Sequence, residues 1–191
     1  MTAAPEAGFA DPVHDAQRCF RAILDAMSRP GRIARISGVT SPAPLGVAAG
    51  AALLTLLDHE TPVWLDPDVW AARGWVAFHC GAAVVADPAA CAFAVAMSLP
   101  DLTLFAEGTH EEPERSATVI CQVDSFSKGQ TFRLSGPGLR EEEELSVQGL
   151  PRDFASIWER NHALFPRGID LILCAGDQLT ALPRTVSIQE V

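Results

Sequence analysis

The sequence predicts an α/β fold in which helices lie on both faces of a mixed sheet, a three-layer α/β/α arrangement. Segments with the helical spacing of apolar residues alternate along the chain with short strand-like runs. Some of these runs are apolar on both faces, as in strands that are covered from both sides. A hairpin-like stretch near residues 117–134 indicates that the sheet is not purely parallel.

The first helix is predicted to begin at Asp11-Pro12, because Asp is a favourable N-cap and Pro fits the first helical position. One face of this helix then collects its apolar side chains: Val13, Ala16, Phe20, Ile23, Leu24 and Met27. The turn at residues 28–31 ends the helix, and residues 32–37 predict a strand.

The next elements are strongly apolar. Residues 45–57 are rich in Ala and Leu, and as a helix they would be apolar on nearly every side, which predicts a buried helix. Residues 63–65 and 93–97 predict short buried strands, with a helix interrupted at Gly74 between them. One helical turn is expected at residues 102–106.

The second half of the chain mixes strands with one helix. Residues 117–123, 130–134 and 169–174 predict strands, and residues 145–147 predict an edge strand after an acidic run. Residues 153–164 return to helical spacing.

Length and charge limit the function classes. The 191 residues fit one domain, spanning 1–191, in which residues 1–8 are expected to form a flexible tail. A formal charge of −10 argues against non-specific binding of nucleic acid. The N-terminus has no signal-peptide pattern and no apolar run reaches membrane-spanning length, so we expect a cytoplasmic protein without membrane contact.

Familiar catalytic motifs are missing from the sequence. It contains neither the GxxxxGK[ST] phosphate loop nor a GxSxG nucleophile elbow. The five cysteines are widely spaced without a CxxC pair, which favours buried thiols over disulfides or a metal site. We therefore expect no metal.

Three arginines, Arg29, Arg167 and Arg184, each adjoin a proline, which fixes the local backbone. Such rigid placement suits a clamp for an anion. The alternative for each is a structural one, in which the guanidinium binds carbonyl groups or forms an ion pair. The chain has one lysine among 14 basic residues, and a GC-rich genome explains that bias as well as phosphate recognition does.

Two further residues are weak catalytic candidates. Asp170 is a charge in an apolar run, so it is either a catalytic acid or the partner of Arg167 or Arg184 in an ion pair. His79 precedes Cys80-Gly81 at the expected end of a helix. It is either a functional residue, as a general acid/base or as a ligand contact, or a structural cap or core hydrogen-bond partner.

Segments in order along the chain resemble the PhnH family, the H subunit of the bacterial carbon–phosphorus lyase system. The strongest are Asp11-Pro12-Val13, Met27-Ser28-Arg29-Pro30-Gly31, Phe165-Pro166-Arg167-Gly168-Ile169-Asp170 and Leu182-Pro183-Arg184-Thr185. The resemblance runs from Phe9 to Thr185, and it departs at Cys80, where threonine is expected.

The resemblance implies a fold similar to that of pyridoxal-phosphate-dependent transferases, without their cofactor machinery. It implies a role with the G, I and L subunits in converting ATP and a phosphonate into ribose 1-phosphonate 5-triphosphate. A core assembly with the G, I and J subunits, and a homodimer when isolated, are also implied.

The residues themselves argue independently against pyridoxal phosphate. An imine with that cofactor needs a lysine, and Lys128 lies in a predicted polar turn that is poorly suited to hold one. No cofactor is therefore expected. Two alternatives to a complex subunit stay open: an autonomous transferase-like enzyme that uses His79 or Asp170, and a purely structural scaffold.

Overall fold

A computed structural model of the chain describes residues 8–191. In this part of the chain the helices are α1 (Pro12–Ser28), α2 (Val47–Leu56), α3 (Arg73–Cys80) and α4 (Phe154–His162). The strands are β1 (Ala34–Arg35), β2 (Val63–Leu65), β3 (Val84–Val85), β4 (Phe93–Ala96), β5 (Thr118–Gln122), β6 (Ser125–Ser135), β7 (Glu143–Gln148), β8 (Asp170–Ala175), β9 (Gln178–Leu182) and β10 (Ser187–Glu190). The expected tail at residues 1–8 lies outside the described residues, apart from Gly8.

The central sheet has seven strands in the order β1-β9-β8-β5-β4-β2-β3. The five strands from β8 to β3 are parallel, whereas β9 pairs antiparallel with both β8 and β1.

The expected mixed sheet is thus confirmed, but the expected hairpin at residues 117–134 is wrong. β5 is a central parallel strand, and β6 belongs to a second, antiparallel sheet in the order β10-β6-β7. The reason is that β5 is apolar on both faces and needs cover on both sides, whereas β6 is not.

The two faces of the central sheet are covered differently. Helices α1, α2 and α3 pack on one face. The small sheet and α4 pack on the other, where Phe132, Phe154 and Trp158 are fully buried. We expected helices on both faces, but on this side the small sheet supplies much of the cover, because β7 alternates apolar and polar side chains. β7 is an edge strand, as predicted, and Glu143 and Glu144 on it are exposed.

Helix α2 is buried nearly all round, as its composition predicts. Ala48, Ala49, Ala51, Ala52 and Leu53 are all 0% exposed. The small side chains allow α2 to lie close to both α1 and the sheet. Within residues 8–191, none of the helices is both long enough and apolar enough to cross a membrane.

Helix α1 begins as predicted but buries a different face. The Asp11 carboxylate accepts a hydrogen bond from the His14 backbone N–H at 3.2 Å. The buried residues of α1 are Asp15, Cys19, Ile23 and Ala26. Of the six apolar residues expected on one face, only Ile23 is fully buried, whereas Val13, Phe20 and Leu24 are 75%, 51% and 56% exposed. Helix α1 therefore has one buried face and, separately, an exposed apolar stripe.

We predict that Thr180→Val stabilises the protein. Thr180 in β9 is 0% exposed, and its hydroxyl has no hydrogen-bond partner within the described part of the chain. A buried hydroxyl without a partner costs about 1–3 kcal/mol, and valine has nearly the same shape. Urea unfolding should therefore show a gain of about 1 kcal/mol. The matched control is Thr131→Val, which removes a hydroxyl that lies 2.9 Å from the Ser146 hydroxyl and should not stabilise. Equal effects of the two substitutions would contradict the prediction.

We also predict that the free energy of unfolding falls as the pH rises above about 9. Burial raises the pKa of Cys80 and of Cys91 to about 11, raises that of Cys121 to about 12, and also raises the pKa of Cys19 and of Cys174. At a pH between the pKa of a thiol in the unfolded chain and its pKa in the folded chain, the unfolded chain loses thiol protons that the folded chain keeps. The free energy of unfolding therefore falls in this range and is unaffected below about pH 8.

The chain suits this measurement because it contains no tyrosine and a single lysine. Urea midpoints at pH 7.5, 9 and 10.5 should therefore report mainly on the thiols. Cys80→Ala should make the pH dependence shallower. A midpoint that stays constant to pH 10.5 would show that the thiols are accessible and ionise in the folded state.

Candidate functional site

Arg184 and Asp170 form a mostly buried ion pair. The Nη2 and Nε groups of Arg184 donate to the two carboxylate oxygens of Asp170, at 2.6 and 3.2 Å. The Arg184 backbone N–H donates to the same carboxylate at 2.7 Å. Both side chains are only 14% exposed. The expectation that an arginine pairs with Asp170 is thus confirmed for Arg184.

The remaining donors of Arg184 are also engaged. Its Nη1 group donates to the Pro113 carbonyl at 2.8 Å and, more weakly, to the Pro166 carbonyl at 3.4 Å. The Arg184 carbonyl lies 2.9 Å from Nδ1 of His162 in α4. This geometry favours the structural alternative for Arg184 and Asp170, because an incoming anion would have to displace partners already in place.

The pair lies at the amino edge of the parallel strands. Asp170 is the first residue of β8 and pairs with Thr118, the first residue of β5. Arg184 follows β9 on the same edge, because Leu182 pairs with Leu171. Ligands of open parallel sheets bind at the opposite, carboxyl edge, so the location adds to the structural interpretation.

Arg167 lies near this pair but is less constrained. Its Nη1 is 3.6 Å from a carboxylate oxygen of Glu107, and its side chain is 34% exposed. Its Nε is buried and has no hydrogen-bond partner within residues 8–191. Glu107 also borders a cavity of about 490 Å³ whose walls include Leu102, Ile157 and Leu164. Of the two arginines near Asp170, Arg167 is therefore the one with a free donor.

Arg29 lies in a separate groove. It pairs with Asp25 at 2.9 Å and is 57% exposed. The groove, of about 860 Å³, lies between residues 28–32 and residues 138–143, and Arg32 and Arg140 also line it. A Cβ at Gly138 would overlap the Ser28 carbonyl, so glycine is needed for the two segments to approach. No sequence motif points to Arg32 or Arg140, which are distant from each other in sequence.

His79 is at the end of α3, as predicted, before Gly81 at φ 67° in the left-handed region. Its ring lies against Trp75, with 4.9 Å between the ring centroids. It belongs to the helical layer, whereas Asp170 starts a strand of the central sheet. The candidate residues therefore lie in three parts of the structure: Arg167 near Asp170 and Arg184, Arg29 in its groove, and His79 on α3.

At the carboxyl edge of the sheet, Gln122, the last residue of β5, binds neighbouring segments of the chain. Its Oε1 accepts a hydrogen bond from the Gly46 backbone N–H at 2.6 Å, its Nε2 donates to the Pro44 carbonyl at 3.3 Å, and the same nitrogen contacts the Met97 Sδ. The Ala48 N–H donates to the Gly176 carbonyl. Two backbone N–H groups at the start of α2 are therefore already engaged within the protein.

The exposure of Lys128 argues against an imine with pyridoxal phosphate. Lys128 is exposed and lies in the irregular part of β6, between Ser125 and Gln130, rather than in the expected turn. No group of three or more His, Cys, Asp or Glu side chains among residues 8–191 is arranged to hold a metal ion.

We predict that Asp170→Asn destabilises the fold by about 3 kcal/mol, because it leaves the buried Arg184 guanidinium without its counter-charge. Chemical denaturation of purified protein measures this. The matched control is Asp177→Asn, because Asp177 forms a comparably short ion pair with Arg35 at 2.7 Å, but at 42% and 69% exposure. An exposed pair contributes about 1 kcal/mol or less. Equal losses for the two variants would contradict a structural role of the Asp170–Arg184 pair.

Comparison with known proteins tests the resemblance directly. A family model described as bacterial phosphonate metabolism protein (PhnH) matches residues 7–189. A relative from Rhizobium meliloti (strain 1021), named alpha-D-ribose 1-methylphosphonate 5-triphosphate synthase subunit PhnH, is 43% identical over 187 residues, which cover 95% of this chain and 94% of the relative. A protein of Stutzerimonas stutzeri, named putative C-P lyase subunit protein HtxG, is 41% identical over 81 residues, 42% of each chain.

The first two matches extend over nearly the whole sequence and confirm the resemblance that the terminal segments suggested. The chain belongs to the PhnH family of bacterial phosphonate metabolism proteins.

Proposed function

We propose that this protein is the PhnH subunit of the carbon–phosphorus lyase system, acting in the synthase that forms ribose 1-phosphonate 5-triphosphate from ATP and a phosphonate. The observation that carries the proposal is the 43% identity to the Rhizobium synthase subunit over 95% of this chain. Identity at this level over almost the full length of both chains makes a shared role the simplest interpretation.

The partners in this proposal are the G, I, J and L subunits, with a homodimer as the form of the isolated chain and the cytoplasm as its location. We further propose one domain with an α/β/α architecture similar to that of pyridoxal-phosphate-dependent transferases, but without the cofactor. The helical layer α1–α3 on one face of the sheet, and α4 on the other, support this architecture.

The hydrogen bonds of Asp170 support a role within a complex rather than catalysis by the isolated chain. A general acid must exchange a proton with substrate, whereas both carboxylate oxygens of Asp170 accept hydrogen bonds from Arg184. His79 lies on a different element, α3, where its ring packs against Trp75.

That Arg29, Arg167 or Arg184 contacts an anion stays a prediction. The contacts that each guanidinium already makes give the order in which to test them. Arg29 is exposed in a groove that Arg32, Arg140, Glu141 and Glu143 also line. Arg167 has a buried Nε without a partner in residues 8–191. Arg184 ranks last, because its guanidinium is held by Asp170 and Pro113. We propose Arg29 and Arg167 as the residues to test first for contact with phosphonate or nucleotide.

Reconstitution with the other subunits tests the function. Tagged protein should co-purify with the G, I, J and L subunits, and consumption of ATP with methylphosphonate should be lost when this chain is omitted. Arg29→Ala and Arg167→Ala should assemble normally, and at least one should lower activity by about tenfold, the effect of about 1.4 kcal/mol. Arg35→Ala, which removes an exposed ion pair at the opposite edge of the sheet, is the control.

The outcomes separate the parts of the proposal. Absence of assembly, or activity that does not depend on this chain, would contradict the proposed function. Full activity of both arginine variants in an active complex would instead exclude the anion contacts and favour a scaffold. Turnover by the isolated chain would favour the autonomous enzyme.

A further inference from the structure

Helix α1 presents an apolar stripe that nothing in the described part of the chain covers. The stripe consists of Val13, Phe20 and Leu24, which are spaced by seven and four residues and therefore lie on one side of the helix. These side chains are 75%, 51% and 56% exposed. The buried face of α1, formed by Cys19, Ile23 and Ala26, contacts the core on another side. An amphipathic helix normally exposes polar residues opposite its core face, so a second apolar stripe marks a binding surface.

The charge around the stripe is unlike that of the rest of the protein. Residues 12–32 contain four arginines and two aspartates, a formal charge of +2, whereas the whole chain carries −10. Asp15 pairs with Arg18, and Asp25 pairs with both Arg29 and Arg32. The carboxylates of this region are therefore already engaged.

Arg21 is the basic residue without a partner in this region. It is exposed, and it forms no ion pair with any residue between 8 and 191. It follows Phe20 directly and precedes Leu24 by three residues, so it flanks the stripe. An exposed arginine beside an apolar stripe is complementary to a carboxylate at the edge of an apolar groove.

A second copy of this chain does not fit the surface well. A two-fold symmetric contact through the stripe would place the same arginine-rich region against itself. A contact between the stripe and another, acidic face of a second copy would be head-to-tail, and would build a ring or a filament rather than a dimer. A different protein with an apolar groove bordered by carboxylates satisfies both the apolar and the charge pattern.

We propose that the α1 stripe is the surface through which this chain docks into an apolar, acid-rimmed groove on another subunit of the synthase complex. This inference rests on the proposed function and adds the surface and the chemistry of the partner. The mode is that of a helix in a groove, with Phe20 and Leu24 as the apolar anchors and Arg21 as the charged contact.

Three variants of the full-length chain test the proposal, each compared with wild type for binding to the purified remaining subunits. Phe20→Glu should weaken binding at least tenfold, because it places a charge in an apolar contact. Arg21→Glu should weaken binding severalfold at low salt, with a smaller difference at high salt. The control is Phe78→Glu, because Phe78 is a 68% exposed aromatic residue on α3, and its binding should equal that of wild type.

Thermal unfolding checks that all variants fold, which is expected because the substituted side chains are exposed. Unchanged binding of Phe20→Glu in a wild-type complex that assembles would overturn the surface while leaving the proposed function intact. The same applies if Phe20→Glu only converts a dimer of this chain into monomers, since a second copy would then be the occupant. Failure of the wild-type chain to assemble would overturn the proposed function together with this inference.

Discussion

The buried ion pair between Asp170 and Arg184 is the constraint on which the amino edge of the molecule depends. Through it, the start of β8 and the segment after β9 are bound to each other and to the carbonyls of Pro113 and Pro166. The pair therefore joins three parts of the chain, at Pro113, residues 166–170 and Arg184. A hydrophobic contact could hold them together, but the bidentate geometry also fixes their orientation. This explains why a charge occurs in an otherwise apolar strand.

Much of the fold could be predicted from the sequence, because most elements carry a local signal. The N-cap at Asp11, the all-apolar helix α2 and the strand β2 follow from composition and spacing alone. The partition of strands between two sheets could not be predicted in this way. β5 and β6 are adjacent in the chain, and only the burial of β5 on both faces shows that it belongs to the centre.

The candidate site was less predictable, for a physical reason. Arg184 was identified from its rigid turn, but whether its guanidinium is free depends on carbonyl groups contributed by Pro113 and Pro166, which no local pattern reveals. The groove at Arg29 likewise depends on Arg140, more than a hundred residues away. Helix α1 shows the same limit. Its apolar residues were recognised, but a sequence pattern does not distinguish a stripe that faces the core from one that faces a partner.

The amide of Gln122 has a consequence for motion. It accepts one hydrogen bond from Gly46, donates one to Pro44 and contacts Met97, and so links the end of a central strand, the segment before α2 and Met97. Because a carboxylate would lack the donor and an aliphatic side chain would lack both functions, only an amide of this length joins all three. The loop at residues 41–46 is thereby held to the end of the central strand by side-chain hydrogen bonds. Adjustment to a partner or ligand is therefore expected at the periphery, in the segments around α1 and the 138–143 turn, while this edge of the sheet serves as the fixed frame.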